Sequence, residues 1–170
     1  MNIILIGYRC SGKTSVGERL ARELAWGFVD TDVWLTEKAG RSVRSMVEDD
    51  GWEGFRRMEK DAIQEVCGRD NAVIATGGGA VLDPANVAVM QKSGHTVWLK
   101  VSPQIVRQRM TRDENTDDLR PSLTSKGLYD EIVEVLKERT PLYEMAMDIA
   151  IDTDHKAIDE IVDEIITNFF

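Results

Sequence analysis

Two cysteines among 170 residues are too few to build a disulfide framework, and Cys10 and Cys67 are expected to be reduced thiols. Long apolar runs are missing: stretches such as Ile3 to Ile6 are far too short to cross a membrane. Positive charge is in deficit, with 21 Lys and Arg against 30 Asp and Glu and a net charge of -9. A nucleic-acid-binding protein would show the reverse balance and a basic stripe. The acids are spread along the chain and read as a solvated surface. There is no repeat, low-complexity tract or linker, and the start at Met1-Asn2-Ile3-Ile4 lacks the basic region of a secretory leader. These absences lead us to expect one cytoplasmic domain spanning 1–170, acting as a monomer, with neither membrane nor nucleic acid as partner.

What is present is an alternation of strand and helix. Apolar runs at Asn2–Ile6, 28–30, Ala72–Ala75, 96–101 and 148–151 read as strands. Helical stripes are predicted over 14–26, with Gly27 as a stop, and over 33–39, 43–49 and 52–67, with breaks at Gly40 and Gly51. Asp83-Pro84 and Ser102-Pro103 each read as an N-cap followed by a first-turn proline. A further helix is predicted over 128–147, kinked or shortened by Pro141, and a strongly amphipathic one closes the chain over 156–170. Periodicity fails over about 112–127, which reads as a mobile loop. Strands joined by helices imply a parallel sheet covered on both faces, with ligands outside the carboxyl ends of the strands.

The loop after the first strand, Gly7-Tyr8-Arg9-Cys10-Ser11-Gly12-Lys13-Thr14, fits G-x-x-x-x-G-K-[ST]. Gly7 and Gly12 allow backbone angles that let the N–H groups face a phosphate, and the following helix adds its positive end. Lys13 is placed to reach the β- and γ-phosphates, and the Thr14 hydroxyl to bind Mg²⁺. After the second strand, Asp30 and Asp32 point the same way on extended chain. Asp30 suits the metal, mostly through water. Asp32 suits a substrate hydroxyl, as acceptor and candidate general base. The same spacing would also serve a turn and a helix N-cap at Asp32.

Arg56 flanks the apolar stripe of its helix and could grip a carboxylate in bidentate fashion, held by Glu59 three residues on. The pair would serve equally as a surface salt bridge. Gly77-Gly78-Gly79 follows the third strand, where a bare backbone can approach a ligand and donate N–H groups. No acidic residue stands there, which leaves Asp30 as the acidic metal partner. Residues 112–127 could close as a lid, with Arg120 stabilising charge on a phosphoryl group in transfer. Arg139, beside the expected kink, could face the cleft.

Taken in order along almost the whole chain, these segments resemble the shikimate kinase family. The match comprises the phosphate loop at 7–14, Phe28-Val29-Asp30-Thr31-Asp32, Gly54-Phe55-Arg56 with Glu59, Ala75-Thr76-Gly77-Gly78-Gly79, Leu119-Arg120-Pro121-Ser122-Leu123 and Glu138-Arg139 before Leu142-Tyr143. The resemblance implies an α/β P-loop fold of the nucleoside-monophosphate-kinase type, a three-layer sandwich with a five-stranded parallel sheet. It implies transfer of the ATP γ-phosphate to the 3-hydroxyl of shikimate, towards chorismate and aromatic amino acids. By similarity, Gly7, Cys10, Ser11, Gly12, Lys13, Thr14 and Ser15 hold ATP, and Thr14 and Asp30 hold Mg²⁺. Arg109 and the Asp152-Thr153 region lie near adenine, with Thr153 in contact. Asp32 binds the shikimate hydroxyls, Arg56 and Arg139 its carboxylate, and Gly77 to Gly79 line the site. Lys13, Asp32 and Arg120 carry the catalysis. The substrate-binding segment falls at about 32–60 and the lid at about 112–127.

The sequence departs from the family pattern at Cys10, where a further glycine is common, and at Arg120-Pro121-Ser122-Leu123, where leucine commonly follows the proline. A gluconate-type kinase would keep Lys13 and Thr14 but does not need two arginines aimed at a ring carboxylate. A nucleotide-dependent switch would not need Asp32, Arg56 and Arg139 as a cage.

Overall fold

A computed structural model describes residues 1–112 and 127–170. Five strands, β1 (Asn2–Ile6), β2 (Gly27–Asp30), β3 (Ala72–Ala75), β4 (Gly94–Lys100) and β5 (Ile149–Asp152), form one sheet in the order β2-β3-β1-β4-β5. Every pairing is parallel, with Ile4 opposite both Ile74 and Thr96, and Asp30 opposite Ala75. The central strand β1 is buried along its whole length, as a strand covered on both faces must be.

Alternation along β1 sends its side chains into two cores. Ile3 and Leu5 pack with Val16 and Leu20 of α1 (Lys13–Leu24) and with Ile161, Val162 and Ile165 of α7 (Ile158–Phe169). Ile4 and Ile6 face the other layer. There they meet Ile63 and Val66 of α3 (Val43–Cys67), Met90 of α4 (Pro84–Ser93), and Tyr143 and Ala146 of α6 (Leu128–Ala146). Smaller apolar clusters join α5 (Pro103–Met110) to α6 and α2 (Thr31–Ala39) to α3. The three-layer arrangement expected from the sequence is therefore present.

The caps follow the chemistry of the sequence, with three differences. Asp83 accepts from the Ala85 N–H and Ser102 from the Ile105 N–H, as expected. Helix α1 ends on Ala25 in the left-handed region rather than on Gly27, which opens β2 instead. The predicted break at Gly51 is present: Gly51 adopts φ 70 and ψ 173, outside the helical region, and joins the two helical stretches numbered together as α3. Helix α6 runs through Pro141 without stopping. Its two ends are anchored, by Ile132 and Val135 against α5 and by Tyr143 and Ala146 against the sheet. A short 3-10 turn at Ala80–Leu82, not expected from the sequence, follows the glycine run.

Candidate active site

Parallel pairing brings the carboxyl ends of β1, β3 and β2 to one edge of the sheet, so the loops that begin at Gly7 and Thr76 lie beside the start of α2 at Thr31. At Gly7, with φ +143, a Cβ would stand 2.6 Å from the Leu99 carbonyl oxygen. Gly12, with φ +95, occupies the N-cap of α1 without a side-chain cap, which leaves the first N–H groups of α1 open to a ligand. Cys10 adopts φ 59, left-handed backbone in which a β-carbon is disfavoured. The Lys13 ammonium folds back over the loop and donates to the carbonyls of Gly7 (2.9 Å) and Tyr8 (2.7 Å). Arg109, reaching from α5, ties the loop to the segment after β5 by donating to the carbonyls of Cys10 (2.7 Å) and Thr153 (3.2 Å).

The paired aspartates divide their work differently from the capping alternative. Asp30, not Asp32, caps α2: its Oδ1 accepts from the N–H groups of Asp32 (3.0 Å) and Val33 (3.3 Å). Its Oδ2 accepts from the Thr14 hydroxyl at 2.8 Å. The Asp32 carboxylate is thereby free for the cleft. Burial, with the charges of Asp30 and Glu59 adding to it, pushes its pKa up to about 7.

Opposite the phosphate loop, Arg56 donates to Glu59 Oε2 at 2.7 Å. Glu59 is buried, and its other oxygen has no hydrogen-bond partner. Burial raises the Glu59 pKa, against the pull of Arg56. The pair is thus not the surface salt bridge that the spacing also allowed. The glycine run passes between these groups. A Cβ at Gly77 would stand 2.8 Å from both Asp32 Oδ1 and Glu59 Oε1, and one at Gly79 would collide with the Arg56 guanidinium. Arg139 on α6 is buried with its guanidinium near Gly78, and it makes no ion pair among the described residues. A buried arginine without a carboxylate is costly unless an anionic ligand completes it.

Most of these groups line one cleft of about 470 Å³, whereas Gly7 lies behind its wall without lining it. Cys10, Ser11, Gly12, Lys13, Thr14 and Ser15 form one wall, with Arg109 and Thr153 at its far end. Asp32, Arg56, Gly77, Gly78, Gly79 and Arg139 form the other, and Asp30 lies between them. Arg120 and nearly all of the 112–127 segment lie outside the described residues. Sequence reasoning passed over Arg9, Lys156, Val43 and Trp52, which also line the cleft. Trp52 lies on the apolar stripe of α3 and reads as core. In the fold the Arg56 guanidinium lies 5.2 Å from its ring, an aromatic support that the order Trp52…Phe55-Arg56 could have suggested.

Thr14 and Asp30 fit a magnesium ion: a hydroxyl and a carboxylate, both hard oxygen donors, already touch beside the nest. Among the described residues no cluster of three or more His, Cys, Asp or Glu could hold a metal by itself. That suits an ion which takes most of its ligands from phosphate and water.

The model of the family described as shikimate kinase matches residues 9–169. A shikimate kinase of Syntrophus aciditrophicus (strain SB) is 45% identical over 176 residues, covering 99% of this chain and 90% of that protein. A solved structure, shikimate kinase from Acinetobacter baumannii in complex with shikimate, superposes with a TM-score of 0.91 at 32% identity, over 98% of this chain and 91% of that one. A gluconokinase from Sinorhizobium meliloti 1021 shares the fold alone, at a TM-score of 0.61 and 24% identity over 96% of this chain and 87% of that one.

Proposed function

The chain belongs to the shikimate kinase family, and from that membership and the cleft geometry we propose that it transfers the γ-phosphoryl group of ATP to the 3-hydroxyl of shikimate. One observation carries the reading: a phosphate-binding nest and a cage of one base and two arginines face each other across a single cleft. Backbone N–H groups and Lys13 bind the β- and γ-phosphates, once Lys13 turns from the loop carbonyls that it now holds. Arg56 and Arg139 grip the carboxylate of the acceptor and so fix its ring. Asp32 then accepts the proton of the reacting hydroxyl, and its raised pKa suits that task at neutral pH. Positioning and charge stabilisation supply most of the rate in such a transfer.

Thr14 and Asp30 would hold Mg²⁺, which when bound neutralises charge on the phosphate oxygens. Arg109 and Thr153 take the adenine end, and Arg120 in the 112–127 segment supplies a further positive charge to the phosphates. No described helix is long and apolar enough to cross a membrane. We read the protein as a cytoplasmic monomer in which residues 1–170 work as one unit. The functional test is ADP release coupled to a dehydrogenase readout, with ATP alone, with shikimate and with gluconate. Release that requires shikimate is expected. Release driven equally by gluconate, or independent of any acceptor, would contradict the assignment.

A further inference from the structure

Tyr143 is buried on α6, one turn after Arg139, with 1% of its surface exposed. Its ring stacks on Trp98 of β4 at 5.6 Å between centroids and 25° between planes, so the sheet fixes its position. Its hydroxyl donates to the Gly78 carbonyl at 2.6 Å, bridging 65 residues of sequence. A phenol has one proton to give and two lone pairs to receive with. The proton is committed to Gly78, and the Arg139 guanidinium lies near the same glycine, its charge acting on the tyrosine oxygen. One hydroxyl is therefore tied to the backbone of the glycine run and stands beside a cationic side chain of the acceptor cage.

A trans peptide is planar, with its C=O and N–H pointing in opposite directions. Anchoring the Gly78 carbonyl on Tyr143 sets the direction of the Gly79 N–H on the far side of the same plane. The N–H groups of Gly78 and Gly79 donate to no described residue. Both glycines line the cleft, as does Arg139, whereas Tyr143 does not. The tyrosine is thus held from behind by the core and touches two groups that face the acceptor.

Resting on the reading of the cleft as a shikimate site, we propose that Tyr143 is a positioning residue for the acceptor carboxylate, orienting Arg139 and the Gly78-Gly79 peptide together through its hydroxyl. Without that hydroxyl the stacked ring remains, but Arg139 loses a polar neighbour and the glycine run loses its tether. The loss falls on acceptor binding and leaves the phosphate loop, on the other wall, untouched.

The test is Tyr143→Phe, assayed against shikimate and against the amide that replaces the shikimate carboxylate. KM for shikimate is expected to rise roughly tenfold, as for one lost hydrogen bond that orients the site. KM for ATP should stay within about twofold, and KM for the amide should change far less than that for shikimate, because Arg139 has no carboxylate to orient there. Equal changes for shikimate and the amide, an ATP effect as large as the shikimate effect, or an unchanged KM for shikimate would each overturn the proposal. If Tyr143→Phe does not fold, Trp98→Phe decides: it loosens the stack beneath the tyrosine and should give a smaller rise in the same direction, again selective for shikimate over the amide. Wild-type protein that fails to turn over shikimate would instead refute the assigned activity.

Discussion

A methyl group added at Gly79 would run into the Arg56 guanidinium, so Gly79→Ala must displace either the glycine run or the arginine. A misplacement of that size is expected to raise KM for shikimate on the order of 10- to 100-fold, with KM for ATP unchanged, in steady-state assays. Arg56→Ala removes one half of a charged contact and leaves the buried Glu59 unpaired. It should weaken shikimate binding by roughly 2–5 kcal/mol, again without an effect on ATP. Lys13→Ala should abolish ADP release while circular dichroism stays native, since the hydrogen bonds from Lys13 to Gly7, Tyr8 and Ser11 lie within the phosphate loop. The Asp32 pKa, raised to about 7 by burial and by neighbouring carboxylates, gives a signed expectation. The base works only when ionised, so kcat/KM should fall as pH drops through about 7 and level off above it. A flat profile from pH 6 to 8, with Asp32→Asn still active, would remove that role. Most of these residues were legible in the sequence, because the phosphate loop, the aspartate pair and the glycine run have fixed spacings along the chain. The Tyr143 bond to Gly78 was not legible: its partners meet only after β3 and α6 pack together.

At the scale of elements, strands and caps were readable from local chemistry, while continuity through a disfavoured residue was not. Gly51 lies inside α3 in a backbone region that only glycine adopts at low cost, and it has open space around its Cα. Gly51→Ala should therefore destabilise the protein by about 1–3 kcal/mol through backbone strain alone, read as a lowered melting temperature. Met46 before the kink and Phe55 and Ala62 after it pack with Leu35 of α2, while Ile63 and Val66 pack against the sheet. Pro141 shows the opposite outcome. Its local preference is to break the helix, yet packing on both sides keeps α6 continuous, and that continuity places Arg139 over the cleft and Tyr143 behind it. Local propensity is a weak prior where tertiary contacts are strong.

Over the whole molecule, the five-stranded parallel order puts the carboxyl ends of β1, β2 and β3 side by side, and α6 brings Arg139 to the same cleft. The nest lies on one segment of chain, whereas the cage draws on α2, α3 and α6. The acceptor is expected to lie between Asp32, Arg56 and Arg139, with its reacting hydroxyl towards the phosphate loop. The most direct measurement is a crystal structure with ADP and shikimate bound together. The expected result is the shikimate carboxylate on Arg56 and Arg139 and a ring hydroxyl on Asp32, facing the nucleotide across the cleft. Shikimate bound elsewhere, or turned so that its carboxylate faces the phosphate loop, would contradict it.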